Sequence, residues 1–525
     1  MKKEKFLNLI IYQIYPRSFY DSNGDGVGDL RGIRKKIPYL LSLGVNAVWI
    51  CPFYKSPNFD NGYDISDYKD IAEEFGDLDE WKALKKELKQ NGIALIIDLV
   101  VNHTSSEHFW FQEAKKSKDS PYHDYYIWGD KPLSSFRSVF GGNAWEYNKE
   151  TNEYYLHSFA VEQPDLNWEN PKVRKEMREI VNFWTDLGVD GFRIDVLDYI
   201  AKDLKKNKPY GGKNLRAYIE ELFAGKDLFT VAECQAGKKE IDALCGKKGL
   251  LSTVFQFDHV RLGGKDKYLP RPFSLDDLKN TLVRWQYLAE KKGFLYSLFT
   301  DNHDQPFLLS AFCKSPSFRY EIATLLGGMV YLLKGIPFIF QGQEIGRVNS
   351  FYPSISDFSD VETLNYYNEK KGTLDEASLL IRINAGSRDN PRRPMAWTDD
   401  EKENFGFSAG KPWLKPPTSA KEINVEKEST REKSVLEFYK KLIALRKQTP
   451  ALIYGDFTCI DRRKGIFVFE RTYRDTRIRV YCNFERPRNF PILPRGELLF
   501  CNKKEREENP LARSFSAYEI AVYKL

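Results

Sequence analysis

The sequence predicts an α/β fold: a (β/α)8 barrel of the TIM type with an inserted subdomain after the third strand and a C-terminal all-β domain. Three observations predict it. Eight apolar, β-rich runs alternate with helix-like stretches up to about residue 454, the pattern of parallel strands buried on both faces by crossover helices. Four of these runs lead into acid or His: Asp98 to His103 (DLVVNH), Gly191 to Asp195 (GFRID), Val231 to Glu233 (VAE) and Asn302 to Asp304 (NHD). A parallel barrel gathers its strand ends at one face, so these segments meet there. Beyond Gly455 the pattern changes to short alternating runs split by Pro, Gly and charged turns, the signature of an antiparallel domain.

In chain order the barrel runs are IYQIY from Ile11, AVWIC from Ala47, ALIIDLVV from Ala94, DGFRID from Asp190, LFTVAE from Leu228, TVFQF from Thr253, YSLFT from Tyr296 and PFIFQ from Pro337. Between the second and third, LDEWKALKKELKQNG from Leu78 sets Trp81, Leu84 and Leu88 at helical spacing and stops at Gly92. Residues 104–171, rich in Trp, Tyr and Gly, far exceed an ordinary βα loop and are assigned to a subdomain over the barrel mouth, before a helix that begins near Pro171. The barrel then takes residues 1–103 and 172–454. Residues 455–525 form a β-sandwich domain, and Lys411 to Thr430, with its Pro and charged residues, reads as a long surface loop.

At 525 residues and 42% apolar the chain is large enough for two or three domains. Net charge is +6, from 80 Lys and Arg against 74 Asp and Glu, with no block of like charges, so no nucleic-acid partner is expected. The N-terminal apolar run is too short for a signal peptide, and no stretch reaches membrane-spanning length. Seven Cys without a C-x-x-C pair suit a reducing compartment. The expectation is a cytoplasmic protein, by default a monomer, with no membrane partner.

The strand ends carry the chemistry. Arg193 and Asp195 are two apart on a strand and point the same way. The guanidinium is expected to lower the Asp195 pKa and keep it ionised as a nucleophile. Glu233 ends an apolar run, where desolvation raises its pKa and lets it hold a proton to donate. In a retaining glycosidase two such carboxyls stand roughly 5–5.5 Å apart. Asp304 supplies a third carboxylate for a positively charged transition state, and His103 and His303 can donate hydrogen bonds to the same sugar. Singly, each acid reads as a helix cap or turn former and Arg193 with Asp195 as a structural ion pair; their recurrence at the strand ends points to a site.

DLVVNH, GFRIDV, VAE and NHDQP resemble the sequence regions of the α-amylase superfamily, glycoside hydrolase family thirteen, along almost the whole chain. DNGYDISDY from Asp60, SVFGGNAWEY from Ser138, QPDLNWENPKVR from Gln163, FQGQEIG from Phe340 and SRDNPRRPMAW from Ser387 are similar to its exo-acting α-glucosidase branch, which includes oligo-1,6-glucosidases, dextran glucosidases and trehalose-6-phosphate hydrolases. The resemblance implies a retaining mechanism with Asp195 as nucleophile, Glu233 as acid/base and Asp304 as stabiliser. It implies that Asp60, Tyr63, His103, Gln163, Arg193, His303 and Arg392 bind the terminal glucose of a small oligosaccharide, with Phe140 packing on it. Asp60 and Arg392 are expected to form a charged pair that closes the pocket. Val196 resembles the residue of α-1,6-specific members, so isomaltose-type ends are expected. Phe307, Ala396, Gln343 and Cys234 depart from the family pattern and are expected to shape the leaving-group subsite.

Asp21, Asn23, Asp25 and Asp29 in DSNGDGVGD, with the Val27 carbonyl, set oxygen donors around three glycines and suit a hard divalent cation. Gly32 stands where an EF-hand needs its bidentate Glu, so the loop is not an EF-hand. The branch carries a structural Ca2+ in such a loop, the alternative being an Asp/Gly-rich turn without metal; no organic cofactor is expected. Other functions fit parts of the sequence, among them cleavage of α-1,4-linked sugars or sucrose by a relative in the same branch. Trehalose-6-phosphate hydrolysis needs cations at the leaving-group side, for which Lys238, Lys239, Lys265, Lys267 and Arg347 are candidates. A non-catalytic transporter heavy chain needs a membrane helix and loss of the carboxylates.

Overall fold

The computed structural model describes residues 2–235 and 237–525. The expected barrel is present. Its strands are β1 (Ile11–Ile14), β2 (Ala47–Ile50), β3 (Ala94–Val100), β4 (Gly191–Asp195), β5 (Phe229–Glu233), β6 (Thr253–Phe255), β7 (Ser297–Leu298) and β8 (Ile336–Phe340). They are parallel, hydrogen bonded in the order β6-β5-β4-β3-β2-β1-β8-β7. The ends of this order meet through side chains rather than a backbone ladder: Thr253 Oγ1 donates to the Leu295 carbonyl at 2.6 Å and Ser297 Oγ to that of Val254 at 2.7 Å.

Alternation along the strands sorts the core into two layers. Ile11, Ala47, Trp49, Ile96, Phe229 and Val231 fill the barrel interior together with Phe255, Phe299 and Phe338. Tyr12, Ile14, Val48, Ile50, Leu95, Ile97, Phe192 and Ile194 pack outward under the helices. The inward column of β3 continues from Ile96 to Asp98, that of β4 from Gly191 to Arg193 and Asp195, and that of β5 from Val231 to Glu233. Register places Asp98 beside Arg193, and Arg193 beside Val231. Gly191 makes this close array possible, because a Cβ there would lie 2.6 Å from the Phe229 carbonyl oxygen.

The helix Leu78–Gln90 starts at the Asp77 cap and buries Trp81, Leu84 and Leu88 on one face. The helix Pro171–Asp186 is capped by Asn170. Between β3 and that helix, residues 104–171 hold the helix Phe109–Ala114 and a three-stranded antiparallel sheet. The Trp168 indole, donating to the Val101 carbonyl at 2.7 Å, ties this subdomain to the barrel rim.

A second excursion follows β8, with helices Val361–Lys370, Glu376–Gly386 and Asp389–Arg392. The sequence reading counts this stretch within residues 172–454 of the barrel. Lys411 to Thr430 also departs from expectation: it is no surface loop. Leu414, Ala420 and Ile423 are buried, Val425–Thr430 is helical, and Glu428 is buried against Arg319 at 2.5 Å.

The C-terminal strands form a five-stranded antiparallel sheet and a two-stranded ribbon. One sheet face, with Phe467, Phe469, Ile478, Val480 and Val522, joins the main core. The other, with Val468, Tyr481 and Tyr523, packs on Phe490 and Phe515 of the ribbon. Lys279, 1% exposed, pins this domain to the barrel helix Leu275–Lys292. Its ammonium donates to the carbonyls of Arg462 (2.9 Å), Arg463 (2.9 Å) and Ile466 (3.1 Å) and pairs with Asp276. Lys279→Met, which removes the donor from these carbonyls and leaves that of Ile466 buried without a partner, should cost about 3 kcal/mol and bring the urea unfolding midpoint down.

Candidate active site

The inward columns of β3, β4 and β5 end on one guanidinium. Arg193 Nη1 lies 2.6 Å from Asp98 Oδ1 and 2.7 Å from Asp195 Oδ1, while Nη2 contacts Glu233 Oε2. Asp98, fully buried, also accepts the Trp49 indole N–H at 2.7 Å. One planar cation thus holds three carboxyls from adjacent strands. Asp195 and Glu233 lie within hydrogen-bond reach of one another.

Burial raises Glu233 to about 8 despite Arg193, with Asp195 and Asp304 adding to the rise. Asp195 is also raised, to about 7, because burial and the charges of Asp98, Asp304 and Asp60 outweigh Arg193. Arg193 does pull Asp195 down as expected, but the net shift is upward, so the expected low pKa is not reached. The order survives: the shared proton goes to Glu233 first. Asp304 behaves oppositely. Burial alone would raise it, but His303, Arg392 and Arg388 hold it well below the usual carboxylate range. Arg392 Nη2 reaches its Oδ1 at 2.7 Å and Arg388 Nη1 at 3.5 Å.

His303 Nδ1 accepts from Gln13 Nε2 at 2.8 Å, which turns its Nε2–H toward Tyr63 Oη (2.7 Å) and Asp304 Oδ2 (3.1 Å). Burial lowers His303 to about 3 and His103 to about 4. Both imidazoles are neutral donors near pH 7. His103 contacts the Tyr63 carbonyl at 3.2 Å and Gln163 at 3.1 Å, and Gln163 donates to Asp60 at 3.2 Å.

Asp60 pairs with Arg388 at 2.8 Å, not with Arg392. The two arginines are four residues apart around the short helix Asp389–Arg392, and Arg392 is committed to Asp304 and the His303 carbonyl. Arg388 also binds Asp360 at 2.6 Å and lies over the Phe140 ring, 4.6 Å from its centre.

These residues border a cavity of about 720 Å3. Asp60, Tyr63, His103, Phe140, Asp195, Val196, Glu233 and Asp304 line it, as does Arg388. Gln163, Arg193, His303 and Arg392 stand behind the wall and brace it through the bonds described. Among the four departures from the family pattern only Phe307 reaches the wall. Gln343 is buried on Thr300 (2.6 Å) and Tyr439 (3.2 Å), and Ala396 and Cys234 are buried in the core, so these three do not shape the leaving-group side. Sequence reasoning missed Asp98, Trp49, Gln13, Arg388 and Asp360. Asp98 was accessible from strand alternation, whereas only the fold separates Arg388 from Arg392.

The Asp21 to Asp29 loop lies apart from this wall. Asp21 accepts the N–H groups of Asn23 (3.0 Å), Gly24 (2.7 Å) and Gly26 (2.8 Å), and Asp25 that of Val27 (2.8 Å). Asp29 caps the following helix through Gly32 N at 2.6 Å and accepts from Ser22. Among the described residues no three His, Cys, Asp or Glu side chains converge as a metal-binding group. A cation here therefore depends on Asn23 and the Val27 carbonyl beside the carboxylates, whose remaining lone pairs suit a hard ion.

A barrel that brings a nucleophile-grade carboxylate and a proton-holding carboxyl together in a closed pocket defines a glycoside hydrolase. The model for the alpha amylase catalytic domain matches residues 13–455. The chain belongs to the alpha-amylase family of glycoside hydrolases. It is 44% identical over 562 residues to an oligo-1,6-glucosidase of Parageobacillus thermoglucosidasius, covering 100% of both chains. It is 38% identical to a trehalose-6-phosphate hydrolase of Escherichia coli, covering 98% of this chain and 97% of that one. It matches the crystal structure of a trehalose-6-phosphate hydrolase of Bacillus licheniformis with a TM-score of 0.92 and 36% identity, covering 99% of each.

The Asp195 and Glu233 pair titrates as a unit, and its singly protonated form is the one suited to catalysis. A kcat/KM profile should peak near neutral pH, falling below about 7 as Asp195 takes the second proton and above about 8 as Glu233 loses its own.

Proposed function

We propose that this glycosidase is a retaining exo-α-glucosidase that removes terminal α-1,6-linked glucose from isomalto-oligosaccharides. The observation that carries this reading is the closed end of the pocket, where Asp60 and Arg388 pair at 2.8 Å beneath Phe140. A fixed charged pair there grips the hydroxyls of one terminal sugar and blocks a chain from running through.

Glu233 protonates the glycosidic oxygen while Asp195 attacks the anomeric carbon, and the leaving sugar departs with the proton. Glu233, now a carboxylate, takes a proton from water, which attacks the same carbon and frees Asp195. Two inversions give retention. Asp304, held ionised by Arg392 and Arg388, faces the positive charge that builds at the ring in both steps. Val196, on the wall beside Phe140, Phe159 and Tyr199, sets the linkage. The oligo-1,6-glucosidase relatives support that choice.

A second reading, hydrolysis of a phosphorylated disaccharide, draws support from Arg261, Lys265, Lys267 and Lys314 along the pocket. Lys267 is neutralised by Glu362 at 2.5 Å, and Arg347 is buried away from the wall. The side chains of Lys238 and Lys239 lie outside the described residues. For the transporter-like alternative, no helix among the described residues is long and apolar enough to cross a membrane, and the three carboxyls are in place. A cytoplasmic location fits the free thiols at Cys51, Cys313, Cys459, Cys482 and Cys501. The Asp21 to Asp29 loop is proposed to take Ca2+ through Asp21, Asn23, Asp25, Asp29 and the Val27 carbonyl, bracing the N-terminal loop.

On a panel of isomaltose, maltose, sucrose and trehalose 6-phosphate, isomaltose should give the highest kcat/KM, and NMR should show α-glucose as the first product. Preference for the phosphorylated sugar would establish the second reading instead. Asp195→Asn should lose at least about 10^3-fold in kcat on isomaltose. Treatment with EDTA should lower the melting temperature by a few degrees and added Ca2+ restore it; an unchanged melting curve would remove the metal.

A further inference from the structure

The turn after Asp195 carries a buried carboxyl that the chemistry above leaves unused. Val196 adopts φ 33° and ψ 46°, a costly conformation for a β-branched residue, and the chain then enters the short helical segment Leu197–Ile200. Within it Asp198 is fully buried. Its Oδ2 accepts the backbone N–H of Gln235 at 2.9 Å, while its Oδ1 has no hydrogen-bond partner. Gln235 stands two residues beyond Glu233.

This bond lies where the barrel itself stops holding the two strands together. The β4–β5 ladder ends with Ile194 opposite Ala232, one residue short of both Asp195 and Glu233. Past that point the Asp198 carboxyl spans from the nucleophile's turn to the acid's loop. The loop is tied from the other side as well, since Arg261 Nη2 donates to Gln235 Oε1 at 2.6 Å and both side chains border the pocket.

We infer that Asp198 is a positioning residue for Glu233: its bond to Gln235 fixes the height of the acid's strand end against Asp195, and its charge favours the protonated form of Glu233. The inference rests on Glu233 being the acid/base. The ionisable groups around Asp198 are Glu233 from β5, Lys202 and Tyr199 from its own turn. Lys202 is spent largely on Asp165, at 2.9 Å, and on Asn102, at 2.6 Å. Burial, with Glu233 adding and Lys202 opposing, raises Asp198 to about 7, so over the alkaline limb of the activity profile it is an anion facing Glu233.

Asp198→Asn keeps an acceptor for the Gln235 N–H and removes the charge; Asp198→Ala removes both. Each is assayed across pH on isomaltose and on 4-nitrophenyl α-glucoside, whose leaving group needs little protonation. Asp198→Ala should lose about 10- to 100-fold in kcat on isomaltose and clearly less on the aryl glucoside. Asp198→Asn should recover most of that loss and move the alkaline limb of kcat/KM down by about one pH unit. An unmoved limb in Asp198→Asn, or equal losses on both substrates in Asp198→Ala, overturns the role. Glu233→Gln, run in parallel, separates the two readings. If it keeps activity on isomaltose, the acid/base assignment fails; if it is inactive while both Asp198 variants match wild type, only the positioning role fails.

Discussion

The nucleophile and the acid of this site are both held by the Arg193 guanidinium. It is buried and joins carboxyls from three consecutive strands, Asp98, Asp195 and Glu233. Three acids packed this closely in an apolar barrel would otherwise take up protons and separate. One cation lets them coexist with fewer positive charges than carboxyls, and that deficit adds to the burial that leaves a proton on Glu233. Asp98 shows the cost of the arrangement: burial raises it to about 6 even with Arg193 and the Trp49 indole holding its charged form.

The closed end of the pocket solves the opposite problem. There cations balance the acids, with Arg388 and Arg392 set against Asp60, Asp304 and Asp360. Asp304 is consequently ionised where Glu233 is not, although both face the same cavity. Two neighbouring electrostatic regimes, one short of positive charge and one well supplied, divide proton donation from charge stabilisation without any difference in side-chain chemistry.

Much of this was legible in the sequence because strand parity and strand order are local properties of the chain. The eight runs became the eight barrel strands, and GFRID, VAE and NHD placed their acids at one mouth. What escaped depended on tertiary neighbours. The Asp195 pKa ran against expectation because sequence spacing displays Arg193 but neither the depth of burial nor the charges of Asp98, Asp304 and Asp60 that gather around it. Asp60 was paired with Arg392 rather than Arg388 because the spacing in SRDNPRRPMAW does not show which arginine the short helix Asp389–Arg392 leaves facing it. Gln343 and Ala396 looked like specificity positions by their departure from pattern, yet the fold buries them away from the pocket.

The seam between β6 and β7 gives the barrel a direction. From β6 round through β3 and β1 to β7 the ring is bonded strand to strand, whereas its last junction is made by side chains, among them the hydroxyls of Thr253 and Ser297 and the Gln256 amide on Tyr296. Mechanically the ring resembles a split collar rather than a hoop. The split lies on the side where Val260, Arg261, Lys265, Lys267, Phe273 and Phe307 line the outer pocket. The strands that carry Asp195 and Glu233 are instead laddered to a neighbour on each side.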